Sequence, residues 1–272
     1  MGSGIAQVCA AAGIDIVMLD LSDEALQRGF SVISDSLDRS IKRQKLTADA
    51  KQEILGRINV TTRYSDIAGV DLVIEAASEN EGLKLRLLKE IENTVSATTI
   101  IATNTSSISI TKLAASTRLP ERVIGTHFFN PVPVMALVEL IRGLQTSDET
   151  QKRVEAFVKD IGKTAIVAKN SPGFAVNRIL CPMINEAVFV LQEGLATPED
   201  IDDGMKLGAN HPIGPLALAD LIGLDTMLAV LDVFYHGFND PKYRPAPLLR
   251  EMVDAGYLGR KSGRGFYRYD RG

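Results

Sequence analysis

Two residues suited to proton transfer stand close together in the middle of this chain. His127, one of only 3 histidines, follows a short apolar run, and Glu139 lies twelve residues further on. A histidine titrates near neutral pH, and a nearby carboxylate can fix its tautomer, so the pair makes a proton acceptor. Asn130 lies between them and is expected to hold the local loop. The other two histidines promise less. His211 sits in a Pro/Gly turn and His236 at the end of an apolar run, so both are expected to cap or to face solvent.

The elements around this pair alternate. A small-residue helix over 2–12 is closed by Gly13. A short strand over 14–19 then delivers Asp20 at its carboxyl end, and an amphipathic helix over 23–45 turns basic near its end. Further strands are expected at 58–62, 71–75, 99–103, 122–126, 138–141 and 164–168, with helices at 47–56, 81–95, 109–116 and 148–160. That rhythm predicts an α/β fold with a mostly parallel sheet covered on both faces. Ligands collect at the carboxyl ends of such strands. Asp20, the stretch from Glu75 to Asn80, the run Asn104 to Ser107, and His127 all fall there.

The opening residues bear on a cofactor. A dinucleotide-binding domain begins with a strand running into G-x-G-x-x-G. This chain starts at Met1-Gly2-Ser3-Gly4, which reads as the end of that fingerprint, with Gly2 as its third glycine. Asp20, at the end of the next strand, is placed to accept hydrogen bonds from an adenosine ribose. Leu21, Ser22 and Asp23 follow it with no arginine, which favours NAD over NADP. The first strand of a Rossmann-type sheet is missing ahead of Met1, so about a dozen further residues are expected before it, or a start codon placed late.

From residue 171 the strand signal stops. Helices are expected at 174–193, 199–208, 215–235 and 246–255, so the chain divides into a Rossmann-type domain over 1–170 and a helical domain over 171–272. Several of these helices are apolar on more than one face, which predicts a homodimer. The apolar run from Pro215 to Phe234 is interrupted by Asp220, Asp225 and Asp232, which argues against a membrane span. The basic, aromatic tail from Gly256 to Tyr267 is expected to form a loop covering the bundle. A formal charge of −4, with scattered Lys and Arg, argues against nucleic-acid binding. Cys9 and Cys181 sit in apolar patterns, as expected of buried thiols in a cytoplasmic protein, and no Cys/His cluster points to a metal.

Taken together, Gly2 to Gln7, Asn104 to Ser107, His127 to Pro131, Pro172 to Phe174 with Asn177 and Arg178, and Gly263 to Tyr267 resemble the L-3-hydroxyacyl-CoA dehydrogenases. The likeness covers essentially the whole chain and is strongest to bacterial members acting on 3-hydroxybutyryl-CoA. It departs at the absent first strand and first two fingerprint glycines. The resemblance implies an NAD-dependent oxidoreductase that interconverts (3S)-3-hydroxyacyl-CoA and 3-oxoacyl-CoA. It makes His127 the catalytic base and Glu139 its orienting carboxylate. Ser106 and Asn177 become substrate-oxygen ligands, and Glu79, Asn104 and Ser106 line the cofactor beside Gly2 and Asp20. Arg39, Lys42, Arg43 and Lys45 are the candidates for the CoA end. Two other accounts remain at this point: a related NAD-dependent dehydrogenase of a free hydroxy acid or sugar acid, and a structural dimer that keeps the fold without turnover.

Overall fold

The computed structural model describes residues 1–269. The chain forms two compact units, Met1–Asn170 and the part from Ser171 onward. In the first unit the elements run α1 (Gly2–Ala11), β1 (Ile16–Leu19), α2 (Asp23–Lys42), α3 (Ala48–Gly56), β2 (Ile58–Thr61), β3 (Leu72–Glu75), α4 (Glu81–Thr94), β4 (Ile100–Thr103), α5 (Ile110–Ala114), β5 (Val123–Phe128), β6 (Leu137–Arg142), α6 (Asp148–Asp160) and β7 (Thr164–Lys169).

The strands form two sheets, β1-β2 and β3-β4-β5-β6-β7. All pairs are parallel except β5 with β6. β1 and β3 are not hydrogen-bonded to each other, yet their side chains share two apolar clusters. Val17, Leu19 and Val73 pack against the buried cluster that contains Ile101, and Ile16, Leu72 and Ile74 against the one that contains Ile100 and Ala102. The central strands β4 and β5 are buried throughout, whereas β1 and most of β3 stay half-buried.

Local chemistry starts the helices. Ser22, Thr47, Asn80, Ser109 and Ser147 each accept from a backbone amide at the start of α2, α3, α4, α5 and α6. Of the α-helices described in this unit, α1 alone begins without a side-chain cap.

The second unit is helical: α7 (Val176–Gln192), α8 (Pro198–Asp203), α9 (Pro215–Ile222), α10 (Leu224–Phe238) and α11 (Pro247–Asp254). Two expectations need correction. The single helix over 215–235 is broken at Gly223, whose φ of +104° suits glycine and almost no other residue. The helix over 199–208 passes after α8 into a π-helical turn, Gly204–Gly208. Leu216, Leu224, Leu231 and Phe234 are fully buried at the centre of this unit.

The tail covers the bundle as expected, and the residue that holds it is Asp220. Only 1% exposed, its carboxylate accepts from the amides of Phe266 and Tyr267 (3.0 Å each) and from the Tyr269 hydroxyl (2.9 Å). A side chain at Gly265 would overlap that carboxylate. Tyr267 adds a hydrogen bond from its hydroxyl to Asp202 (2.8 Å). No helix among the described residues is long and apolar enough to cross a membrane. Asp220→Ala orphans three half-buried donors and should lower unfolding free energy by about 2–4 kcal/mol. Urea denaturation followed by circular dichroism measures the loss, and an unchanged midpoint would show that the tail is held by other contacts.

Candidate active site

The β5–β6 pairing creates the central contact. Its antiparallel register sets His127 directly opposite Glu139, across a loop formed by residues 129–136. Directly opposed side chains in an antiparallel pair share one face and lie within reach of each other. The His127 Nδ1 is 2.8 Å from the Glu139 Oε2. Glu139 has no exposed surface and His127 is 8% exposed, so this hydrogen bond forms away from bulk water. With Nδ1 turned to the carboxylate, the neutral ring carries its proton there and Nε2 becomes the basic nitrogen. The Phe129 ring lies 4.5 Å from the imidazole, centroid to centroid.

Neighbouring strand ends support the histidine. Asn104, just past β4, accepts from the Phe128 amide through its side-chain oxygen (2.9 Å) and donates its own amide to the Glu75 carbonyl (2.7 Å). It thereby ties the ends of β3, β4 and β5 together. Beyond β3, one oxygen of Glu79 gathers the following loop. Oε1 accepts from the Thr105 hydroxyl (2.6 Å), the Ser106 and Ser107 amides (3.0 Å each) and the Ser107 hydroxyl (2.9 Å), with the Ser106 hydroxyl at 3.3 Å. The other predicted groups are spread more widely. Gly2 opens α1, and Asp20 is exposed just after β1, with one oxygen accepting from the Leu21 amide (2.7 Å). Arg39, Lys42, Arg43 and Lys45 are all exposed around the end of α2. Asn177 lies in the first turn of α7, in the second unit.

A buried network beneath Glu79 was not anticipated. Lys84, with no exposed surface, donates to both oxygens of Glu75 (2.8 and 2.9 Å) and to the Ala77 carbonyl (3.2 Å). Thr103 donates to the same carboxylate (2.6 Å), and Lys84 lies 3.9 Å from Glu79. The sequence does carry a signal for it. Lys84 shares its face of α4 with Leu88 and Ile91, so a lysine occupies a core position of the apolar stripe.

Comparison with known proteins agrees with this arrangement. Residues 1–171 match the model of the 3-hydroxyacyl-CoA dehydrogenase NAD binding domain, and residues 173–269 match that of the C-terminal domain of the same dehydrogenases. The chain belongs to the 3-hydroxyacyl-CoA dehydrogenase family. A probable 3-hydroxybutyryl-CoA dehydrogenase of Deinococcus radiodurans is 54% identical over 269 residues, covering 99% of this chain and 96% of that protein. One from Bacillus subtilis is 50% identical over 270 residues, 99% of this chain and 94% of that protein. The crystal structure of (S)-3-hydroxybutyryl-CoA dehydrogenase from Ralstonia eutropha superposes with a TM-score of 0.97 at 65% identity, covering 100% of this chain and 96% of that one.

As a 3-hydroxyacyl-CoA dehydrogenase, the chain is an NAD-dependent oxidoreductase of 3-hydroxyacyl-CoA and 3-oxoacyl-CoA. Its residues fit the cofactor. The start of α1 leaves backbone N–H groups without a side-chain cap, as a pyrophosphate requires. A Cβ added at Gly4 would lie 3.0 Å from that of Val132, so only a residue without a side chain packs there unstrained. The exposed carboxylate of Asp20 suits a ribose hydroxyl.

The dehydrogenase should depend on its buried lysine. Lys84→Met leaves the Glu75 carboxylate buried without its cation and is expected to cost about 3 kcal/mol or more of stability. A melting curve within error of wild type would mean that the network relaxes to admit water.

Proposed function

We propose that this chain interconverts (3S)-3-hydroxybutyryl-CoA and acetoacetyl-CoA, with His127 as the general base. The observation that carries the reading is the 2.8 Å contact between His127 and a fully buried Glu139, at the ends of strands that also present Ser106. Two relatives and a structural neighbour, each about half identical or more over nearly the full chain and named for 3-hydroxybutyryl-CoA, support the four-carbon substrate.

In the oxidative direction, His127 Nε2 takes the proton of the 3-hydroxyl group. Glu139 holds Nδ1–H in place and stabilises the imidazolium that forms, without being protonated itself. Ser106 and Asn177 hold the 3-oxygen, a positioning role that lowers the barrier by fixing the reacting geometry. When bound, NAD supplies the acceptor for the hydride leaving the same carbon. Gly2 and Asp20 would hold its pyrophosphate and adenosine portion and Glu79 would stand beside the nicotinamide end, with Asn104 and Ser106 completing the cofactor side. In the reverse direction the histidinium returns the proton. The exposed cluster Arg39, Lys42, Arg43 and Lys45 offers positive charge for the CoA phosphates.

We further assign a homodimer formed through the second unit. Ile179, Leu195, Leu207 and Leu221 are 74%, 69%, 85% and 53% exposed there, large apolar side chains of the kind that a second subunit covers. The buried, unpaired thiols of Cys9 and Cys181, pushed up to about 12 mainly by desolvation, suit the reducing cytoplasm.

Two measurements test these readings. NADH oxidation with acetoacetyl-CoA should fall by roughly 10³-fold in kcat in His127→Ala, with the fold intact by circular dichroism. Turnover that survives the substitution, or that prefers free acetoacetate, would overturn the mechanism or the substrate. Light scattering on the purified chain should give twice the mass of one subunit, and a single-subunit mass would exclude the dimer.

A further inference from the structure

Lys163 takes no part in the proton-transfer set, yet it grips the loop that joins the base to its carboxylate. It stands in the turn between α6 and β7, where Gly162 has a φ of +71° and the Lys163 amide donates to the Val158 carbonyl. Its ammonium donates to the carbonyls of Val132 (2.7 Å) and Met135 (2.6 Å), and the Thr164 amide donates to that of Ala136 (2.8 Å). The loop is therefore fastened at three points to two successive residues, Lys163 in the turn and Thr164 at the start of β7.

Its opposite side packs on α1. Val132 is 3% exposed and belongs to the same apolar cluster as Ile5 and Cys9. A Cβ at Gly4 would meet the Val132 side chain at 3.0 Å. Lys163, the loop and the first turn of α1 thus form a stack in which each layer sets the position of the next. The lysine is half-buried, and desolvation draws its ammonium below the usual lysine range. Its hydrogen bonds go to carbonyl oxygens rather than to a carboxylate, which makes it a clamp on backbone geometry and not an ion pair.

We propose that Lys163 is a positioning residue for NAD: by fixing Val132 and Met135 it sets how the glycine-rich first turn of α1 is seated, and so how well that turn holds the cofactor. The inference rests on the reading of the amino end of α1 as the pyrophosphate site. It leaves the His127–Glu139 contact to the strand register, so cofactor affinity and proton transfer should separate.

The test uses the whole chain with Lys163→Met, which keeps the aliphatic stem and removes the donors, and Lys163→Arg, which keeps donors. Titrating NADH fluorescence without substrate should give a Kd about tenfold weaker in Lys163→Met. The KM for acetoacetyl-CoA at saturating NADH should stay within about twofold of wild type, and Lys163→Arg should recover most of the affinity. If Lys163→Met does not fold, Lys163→Gln, with a neutral donor, should give an intermediate Kd. A folded variant with wild-type NADH affinity overturns the proposal alone. So does equal weakening towards NADH and acetoacetyl-CoA, which marks a merely structural role. A wild-type chain that binds no NADH overturns both the proposal and the reading beneath it.

Discussion

Glu139 is a carboxylate with no exposed surface, and an ionised group taken out of water is tolerated only when paired and hydrogen-bonded. The imidazole of His127 meets that demand across two antiparallel strands. The constraint works in both directions. The acid takes the ring as a partner, and the hydrogen bond at Nδ1 holds the ring in one tautomer. A pair held this way is preorganised, since the environment that stabilises an imidazolium exists before any proton moves.

Other polar groups near the strand ends repeat the device. Asn104 bridges β3 to β5, Glu79 collects the loop bearing Ser106, and Lys84 anchors Glu75 below both. Each is a charged or amide side chain satisfied mainly by backbone or by a neighbouring strand. Loops that carry reacting groups are ordinarily the mobile part of an α/β fold. Here the loop after β4 is drawn together by one carboxylate oxygen, which turns a flexible segment into part of the frame.

Much of this was legible in the sequence because it depends on period and punctuation. Alternating apolar runs and charged helices gave the strands, and the polar residues at their carboxyl ends marked the face where ligands gather. The interval between His127 and Glu139 was visible, but not the reason for it. An antiparallel partner inside a mostly parallel sheet is a matter of tertiary pairing, which composition does not encode. Lys84 does not stand out, because a basic residue on a helix rich in charged side chains is ordinarily solvated, although its place in the apolar stripe points inward. The break at Gly223 was hidden for a similar reason, since apolar residues on both sides kept up the appearance of one long helix. Asp220 and Asp225 look alike in the sequence and both meet the tail, yet one is buried and accepts from its backbone while the other forms a more exposed ion pair with Lys261.

The hold of Asp220 on the tail has a consequence for biosynthesis. Its three donors come from Phe266, Tyr267 and Tyr269, more than forty residues later in the chain. While the polypeptide is emerging, α9 carries a carboxylate bound for the interior with nothing yet made to receive it. The helical unit that carries Asn177 is therefore completed only when these last aromatic residues have left the ribosome.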